Sequence, residues 1–114
     1  MERNKFNEKV IECFSEIKDQ YFKAINDEWD GEEMGSTILL EDYLIPYLYK
    51  NIDNKNLMNK LSNFLEDIIC LNDEYCNEVL YSSFFEKIHY DNLINKFIDS
   101  FKEKTLDFYN NLKF

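Results

Sequence analysis

The one histidine and the three cysteines are the side chains best suited to metal chemistry. Glu86 and His89 have the Glu-x-x-His spacing that places a carboxylate and an imidazole on one helix face. A di-iron bundle needs two such motifs and two further glutamates, so a single histidine excludes that site. Cys13, Cys70 and Cys76 with His89 could formally ligate zinc, but no Cys-x-x-Cys pair is present to nucleate the site. We expect small buried thiols and predict no metal centre.

Residues 26–31 partly match the start of a calcium-binding loop. The stretch Asn-Asp-Glu-Trp-Asp-Gly has oxygen-bearing side chains at loop positions 1, 3 and 5 and glycine at position 6. The match then fails, because Thr37 stands at position 12, where a bidentate glutamate is required. Glu33 stands at position 8, where an apolar residue is usual. We therefore interpret this stretch as a solvated acidic loop without calcium.

The residues needed for nucleophilic catalysis or phosphate binding are also missing. Any Cys–His or Ser–His–Asp arrangement must use His89, and no Cys or Ser lies in a recognisable nucleophile elbow. Gly31 and Gly35 stand alone among acidic residues that would repel phosphate. An enzyme would instead need a concave pocket with convergent carboxylates. We predict that the protein is not an enzyme and uses no cofactor.

The acidic side chains are segregated along the chain. The sequence carries 23 Asp and Glu against 13 Lys and Arg, a formal charge of −10. Residues 24–49 hold seven acids and residues 61–86 hold six, and neither window holds a Lys or Arg. One interpretation is that this charge only keeps a small domain soluble. The segregation favours another, an acidic face that steers a basic partner protein and raises its association rate.

An aromatic side chain lies inside each acidic window, Trp29 in the first and Tyr75 in the second. Aromatic anchors ringed by charge are typical of protein interfaces. The alternative for Trp29 is a ring folded back to cap the core. The predicted partner-binding residues are the two aromatics and the acids near them: Asp27, Glu28, Trp29, Asp30, Glu32, Glu33, Glu66, Asp67, Asp73, Glu74, Tyr75 and Glu78.

Apolar residues at helical spacing predict an all-α fold. Period-2 alternation nowhere persists for five residues, and two Gly and one Pro are too few for the turns of a sandwich or barrel. The first apolar stripe predicts one long helix and consists of Phe6, Val10, Phe14, Ile17, Tyr21 and Ile25. A second apolar stripe predicts a third helix and consists of Leu57, Leu61, Phe64, Leu65 and Ile68.

Cap and break residues predict where the helices begin and end. Residues 26–35 lose periodicity and are predicted to form a loop. Pro46 should end or kink the second helix near Ile45. Ser36 is predicted to cap the second helix, which would begin at Thr37, and Asp53 or Asn54 the third. Asn72 or Asp73 is predicted as the break before the fourth helix, and Asp91 as the cap of the last helix. The result is a single domain, residues 1–114, built as an antiparallel bundle of about five helices.

Several compartments and partners are disfavoured by composition. The N-terminus is charged throughout and lacks the apolar region of a secretory signal. The longest apolar stretch, residues 43–49, is far shorter than the roughly 20 residues of a membrane span. The odd number of cysteines, without framework spacing, favours reduced thiols. Without a basic footprint we expect no nucleic acid or anionic membrane partner, and we place the protein in the cytoplasm.

The region 39–88 carries a helix-patterned sequence in four pieces. They read Leu-Leu-Glu-Asp-Tyr-Leu-Ile-Pro-Tyr-Leu, Leu-Ser-Asn-Phe-Leu-Glu-Asp-Ile, Asn-Asp-Glu-Tyr-Cys-Asn-Glu-Val-Leu and Phe-Phe-Glu-Lys-Ile. The pattern resembles small all-helical bacterial domains of unknown function that are often encoded beside polymorphic toxins and are interpreted as immunity proteins. The resemblance implies no catalytic residue. It implies toxin contacts at the junction of the third and fourth helices, at Glu66, Asp67, Asp73, Glu74 and Glu78.

The leading hypothesis is therefore an immunity (antitoxin-type) protein that binds and neutralises a cognate toxin, a basic nuclease domain. It would act as a monomer or weak homodimer, with its carboxylates in the place of substrate phosphates in the toxin's cleft. The alternative is a homo-oligomeric or scaffolding helical domain. Its self-interface would use surplus aromatics, namely Tyr43, Tyr47, Tyr49 and Tyr81.

Overall fold

The chain folds into helices along most of its length. The computed structural model describes residues 1–29 and 31–114; Asp30, a predicted contact residue, lies outside the described residues. The described residues contain helices and no strand, which confirms the predicted all-α class. They form seven helical segments where about five were predicted: α1 Arg3–Cys13, α2 15–28, α3 36–50, α4 Lys55–Cys70, α5 74–90, α6 94–100 and α7 Glu103–Asn110.

The apolar stripe of the predicted long first helix spans two helices, so the prediction of one continuous helix is wrong. The backbone leaves helical geometry at Phe14 (φ −114°, ψ 67°), and a 3₁₀ turn over Ser15–Ile17 leads into Lys18–Glu28. The stripe is nevertheless buried on both sides of the break. Phe14 itself is fully buried and packs edge-to-face on Phe64 of α4, with 5.5 Å between ring centroids. Both helices consequently contribute to the same core.

The start of α3 differs from the prediction by its capping residue. Gly35 occupies the N-cap position and Ser36 is the first helical residue, so Ser36 is not the cap. Its hydroxyl donates instead to Oδ1 of the buried Asn7, at 2.7 Å. The preceding loop is also shorter than predicted, because α2 continues to Glu28.

The helix α3 passes through Pro46 without ending. Leu39–Leu44 form a wide segment with i→i+5 hydrogen bonds, and α-helical geometry resumes over Ile45–Lys50. Pro46 is the second residue of this α-helical stretch, so the residue that has no N–H donor stands where the hydrogen-bond pattern of the helix changes. A second wide segment, Leu80–Phe85 in α5, packs against the first.

The predicted beginnings of α4 and α5 are confirmed by side-chain caps. Asn54 Oδ1 accepts a hydrogen bond from the Leu57 N–H at 3.1 Å. Asp73 accepts one from the Cys76 N–H at 3.0 Å, directly after Asn72, whose φ is 50°. Each cap satisfies an N–H group that the first turn of a helix leaves without an intrahelical partner.

The prediction that Asp91 caps the last helix is wrong. Asp91 directly follows α5, where its carboxylate accepts from the Tyr49 hydroxyl at 2.8 Å and lies 3.2 Å from the Lys87 ammonium. The segment predicted as one last helix is also divided, because Phe101 has extended backbone (φ −67°, ψ 136°). The side chain of Asp91 thus joins α3 to α5 instead of beginning a helix.

The core is built mainly from phenylalanine and leucine side chains. The apolar stripe predicted for the third helix lies on α4, and all of its residues are buried. Phe84 and Phe85 of α5 are buried and pack edge-to-face, with ring centroids 5.2 Å apart. Phe97 of α6 packs edge-to-face on Phe84 at 6.4 Å. These contacts anchor the C-terminal half of α5 in the core.

The cap of α4 gives a direct test of the fold, since the sequence left Asp53 and Asn54 as equal candidates. We expect Asn54→Ala to lower the free energy of unfolding by about 1 kcal/mol, because the Leu57 N–H loses its acceptor. The matched change Asp53→Ala, at an exposed position, should alter it by about 0.5 kcal/mol or less. Urea unfolding of both variants at pH 7 measures this. Equal losses would contradict the observed cap.

Candidate functional site

The N-terminal turn of α5 contacts the first residue of α3, and this contact joins the two acidic windows. The Tyr75 hydroxyl donates to Ser36 Oγ at 2.7 Å. Glu33, from the first window, lies just before Ser36 in the chain, while Glu74 and Glu78 flank Tyr75 in the second. Carboxylates of both windows are therefore brought to one surface around Tyr75.

Two open grooves meet at this surface, and Arg3 and Tyr75 line both of them. The α1 groove, of about 490 Å³, is lined in addition by Glu2, Asn4 and Glu33. The α3–α5 groove, of about 560 Å³, runs between the first turns of α3 and α5. Its other lining residues are Gly35, Ser36, Thr37, Ile38, Glu78, Val79 and Ser82.

The carboxylate of Glu33 is held by internal donors. Its Oε1 accepts from Asn7 Nδ2 at 2.9 Å and from the Tyr21 hydroxyl. Burial is the largest cause, and the hydrogen bond to Glu33 the second, that raises the pKa of the Tyr21 phenol well above its ordinary value. Tyr21 therefore remains a hydrogen-bond donor, and Glu33 keeps one position at the edge of the α1 groove.

Among the described residues, the other predicted acids of the first window, Asp27, Glu28 and Glu32, are exposed. Asp27 and Glu28 lie on the last turn of α2, and Glu32 lies in the following loop beside Glu33. On α5, Glu74 and Glu78 are exposed as well. None of these exposed side chains forms an ion pair with a described residue. Their charge is thus available to an external partner.

Trp29 is half-buried and packs against the hydrophobic core. This position corresponds to the alternative interpretation, a ring folded back onto the core. Within the described residues, the linings of the two grooves do not include Trp29. Tyr75 is therefore the aromatic residue that belongs to the acidic surface.

Glu66 is directed at the start of α7. Its Oε1 accepts from the Thr105 N–H and from Thr105 Oγ1, both at 2.9 Å, and its Oε2 accepts from the Lys104 N–H at 3.2 Å. Desolvation opposes ionisation, but these hydrogen bonds outweigh it and lower the pKa of Glu66 below its ordinary 4.5. Glu66 thus caps a helix that is distant in sequence, and its carboxylate is engaged inside the fold.

Two further acids of the second window have local roles. Asp73 caps α5 and also pairs with the amino group of Met1. The hydrogen bond from this amino group is the larger cause, and the one from the Cys76 N–H the smaller, of a pKa lowered to about 2. Asp67 is exposed but lines a separate groove between α1 and α4, of about 420 Å³. Lys9 and Lys60 line that groove too, so it lacks the acidic character of the surface at Tyr75.

Sequence reasoning missed Arg3, Asn7 and Ser36 as parts of this surface. Asn7 is fully buried and stands beside Phe6 on the apolar face of α1. A polar residue on an otherwise apolar helix face was a usable signal, because a buried amide needs partners from other elements. Arg3 gave no signal, because its place beside Tyr75 depends on how α1 packs against α5.

The tyrosines predicted for a self-interface are largely folded into the molecule. Tyr43, Tyr47, Tyr49 and Tyr81 are all half-buried. Tyr49 donates to Asp91 at 2.8 Å, and Tyr81 donates to the Lys113 carbonyl at 2.5 Å. The large apolar side chains that are exposed among the described residues are different ones, namely Phe22, Leu71, Tyr90 and Phe114.

The described residues contain neither a cluster of metal-ligating side chains nor a membrane-spanning helix. Within residues 1–29 and 31–114, no three His, Cys, Asp or Glu side chains converge as a metal site would require. In the same part of the chain, no helix has both the length and the apolar character needed to cross a membrane. Comparisons with protein-family models, with curated proteins and with solved structures each found no match.

The engagement of Glu66 predicts a pH-dependent contribution to stability. At pH 7 we expect Glu66→Gln to lower the free energy of unfolding by about 1 kcal/mol, because charge-assisted bonds to three donors are weakened. The lowered pKa means that this contribution is complete above the ordinary 4.5 and is lost as the pH falls through the folded-state pKa.

Chemical unfolding at a series of pH values tests this expectation. The difference between wild type and Glu66→Gln should stay constant from neutral pH down to about pH 5 and shrink below it. Asp67→Asn, one position away on the same helix and exposed, serves as the control and should change stability by about 0.5 kcal/mol or less. A difference that grows toward acid pH would contradict the assigned role of Glu66.

Proposed function

We propose that this protein is an immunity-type inhibitor that binds a basic toxin domain, a nuclease, through the surface around Tyr75. The observation that carries the proposal is the meeting of both acidic windows at one place, where Tyr75 and two open grooves lie between them. A surface that serves solubility alone has no need to gather its carboxylates around an aromatic side chain.

Inhibition would be steric and electrostatic. A nuclease cleft carries Lys and Arg side chains that bind phosphates, and carboxylates placed at similar spacing compete for the same cations. The exposed Glu32, Glu74 and Glu78 would steer the partner and set its association rate, while contacts desolvated beside Tyr75 would govern dissociation. The bacterial cytoplasm, where a toxin must be held inactive in its producer, is the proposed compartment.

Two of the acids first predicted as toxin contacts have a smaller place in this proposal. Glu66 and Asp73, like Glu33, are already bonded to donors within the protein. Using them for a partner would require these internal bonds to break, which costs free energy. The proposal therefore rests on Glu32, Glu74, Glu78 and Tyr75.

Neutralisation of the exposed acids at the surface tests the proposal. The partner is first isolated from lysate of the source cell with this protein as bait, at low and at high salt, and identified as a basic protein. The triple change Glu32→Gln, Glu74→Gln and Glu78→Gln should then slow association with that partner by about tenfold at low salt, because electrostatic steering is reduced. Association kinetics on an immobilised partner measure this.

A charge-matched control separates a local effect from net charge. Asp53→Asn, Asp99→Asn and Asp107→Asn remove the same number of charges from exposed positions outside both windows. We expect association of this control to slow by less than about twofold. Co-expression with the identified partner should rescue growth with wild type and with the control. Equal slowing by both triple variants, or failure to protect growth, would contradict the proposed inhibition.

A further inference from the structure

The α3–α5 groove combines apolar, hydroxyl and charged lining residues in one place. Ile38 and Val79 provide apolar side chains, and Thr37 and Ser82 provide hydroxyls. The ring of Tyr75 lies at the junction with the α1 groove. A guest of this groove therefore meets hydrocarbon, an aromatic ring and polar acceptors together, a combination suited to an amphipathic side chain.

Tyr75 is fixed in position before any partner arrives. Its hydroxyl donates to Ser36 Oγ, which donates to Asn7 Oδ1, both at 2.7 Å. Asn7 in turn donates to the Met34 carbonyl at 2.7 Å, and both Asn7 and Ser36 are buried. The ring also packs edge-to-face on the buried Phe6, with centroids 6.1 Å apart. Binding against Tyr75 thus loses little side-chain freedom, which favours affinity.

The α3–α5 groove alone is lined by one cation, Arg3, and one carboxylate, Glu78, and the two joined grooves together are lined by more acids than bases. Glu78 lines the α3–α5 groove, Glu33 lines the adjoining α1 groove, and Glu74 precedes Tyr75 in the chain. Arg3 is the only Arg in the sequence and lines both grooves. Among the described residues it forms no ion pair, so its charge faces the grooves without internal compensation.

We infer that the α3–α5 groove receives an arginine side chain of the basic partner. The guanidinium would stack on the ring of Tyr75 and pair with the Glu78 carboxylate, while its methylene groups cover Ile38 and Val79. Arginine fits better than lysine, because its planar cation stacks on aromatic rings and bonds a carboxylate through two N–H groups. This inference rests on the proposed function and specifies the partner side chain that the surface recognises.

Arg3 has a definite part in this recognition. Its positive charge opposes an incoming arginine, whereas Glu78 attracts it, so the two residues act with opposite sign. Replacing Arg3 should therefore tighten binding and replacing Glu78 should weaken it. A purely structural role for either residue would not give changes of opposite direction in two folded variants.

A short peptide tests the groove without the partner. The probe is acetyl-Gly-Arg-Ala-Gly-amide, titrated into the ¹⁵N-labelled full chain at low salt, with Lys and Glu in place of Arg in two matched peptides. We expect saturable amide shifts at Thr37, Tyr75, Glu78 and Val79 with the arginine peptide. Its affinity should be about threefold higher than that of the lysine peptide, and the glutamate peptide should cause no shift at these residues.

Three variants sharpen the test. Glu78→Gln should weaken the arginine peptide by about fivefold, the size of one exposed charge pair, and Arg3→Gln should strengthen it by a similar factor. Asp53→Asn, at a distant exposed position, should leave its affinity unchanged. Amide spectra and thermal unfolding confirm that each variant is folded.

Each contrary result overturns the inference. Equal shifts around Asp53, Asp99 and Asp107 would indicate general counterion binding, and equal affinity for lysine would remove the arginine preference. Groove shifts that depend on protein concentration alone would indicate a second copy as the occupant.

Failure of this inference is distinguishable from failure of the proposed function. If the Glu78→Gln variant still protects growth and binds the toxin as tightly as wild type, the arginine site in the groove is rejected while the proposed inhibition stands. Specific binding of the arginine peptide by a chain that does not protect cells would reject the proposed inhibition while the arginine site stands.

Discussion

The buried side-chain amide of Asn7 is the interaction on which the acidic surface depends. It donates to the Glu33 carboxylate and to the Met34 carbonyl and accepts from the Ser36 hydroxyl, with no exposure to solvent. A buried amide is costly unless each polar group finds a partner, so α1 must meet the loop and the start of α3 in one alignment. Tyr75 joins this alignment through Ser36, and the position of the grooves follows from it.

The same principle explains how a chain of charge −10 tolerates windows without lysine or arginine. Glu33 and Glu66 accept hydrogen bonds from amides, hydroxyls and backbone N–H groups, which stabilise a carboxylate without a lysine or arginine partner. Asp73 accepts a backbone N–H and pairs with the amino group of Met1. Part of the acidity is therefore structural. The acids that remain exposed include Glu32, Glu74 and Glu78, on which the proposed binding surface rests.

Sequence reasoning predicted which helix faces are buried and failed on where helices break. The apolar residues stay buried across the break at Phe14 and through the wide segments at Leu39–Leu44 and Leu80–Phe85. These irregularities change the hydrogen-bond pattern of the helix but keep its apolar residues on one side. Cap predictions succeeded where the side chain bonds its own helix, as at Asn54. They failed where the side chain reaches another element, since Ser36 bonds Asn7 and Asp91 bonds Tyr49. Such long-range partners have no signature in local sequence.

The acidic surface illustrates the same limit for function. The segregation of charge could be counted in the sequence. The different roles of Glu66 and Glu78 could not be predicted, because both lie in the same second window. In the folded chain one carboxylate caps α7 and the other lines an open groove beside a fixed aromatic ring. Because that ring is held by buried groups, the surface cannot readily adapt to partners of different shape. Under the proposed function, a rigid anchor with one opposing cation at Arg3 would suit selection among basic partners better than general affinity for positive charge, since discrimination requires an unfavourable contact as well as favourable ones.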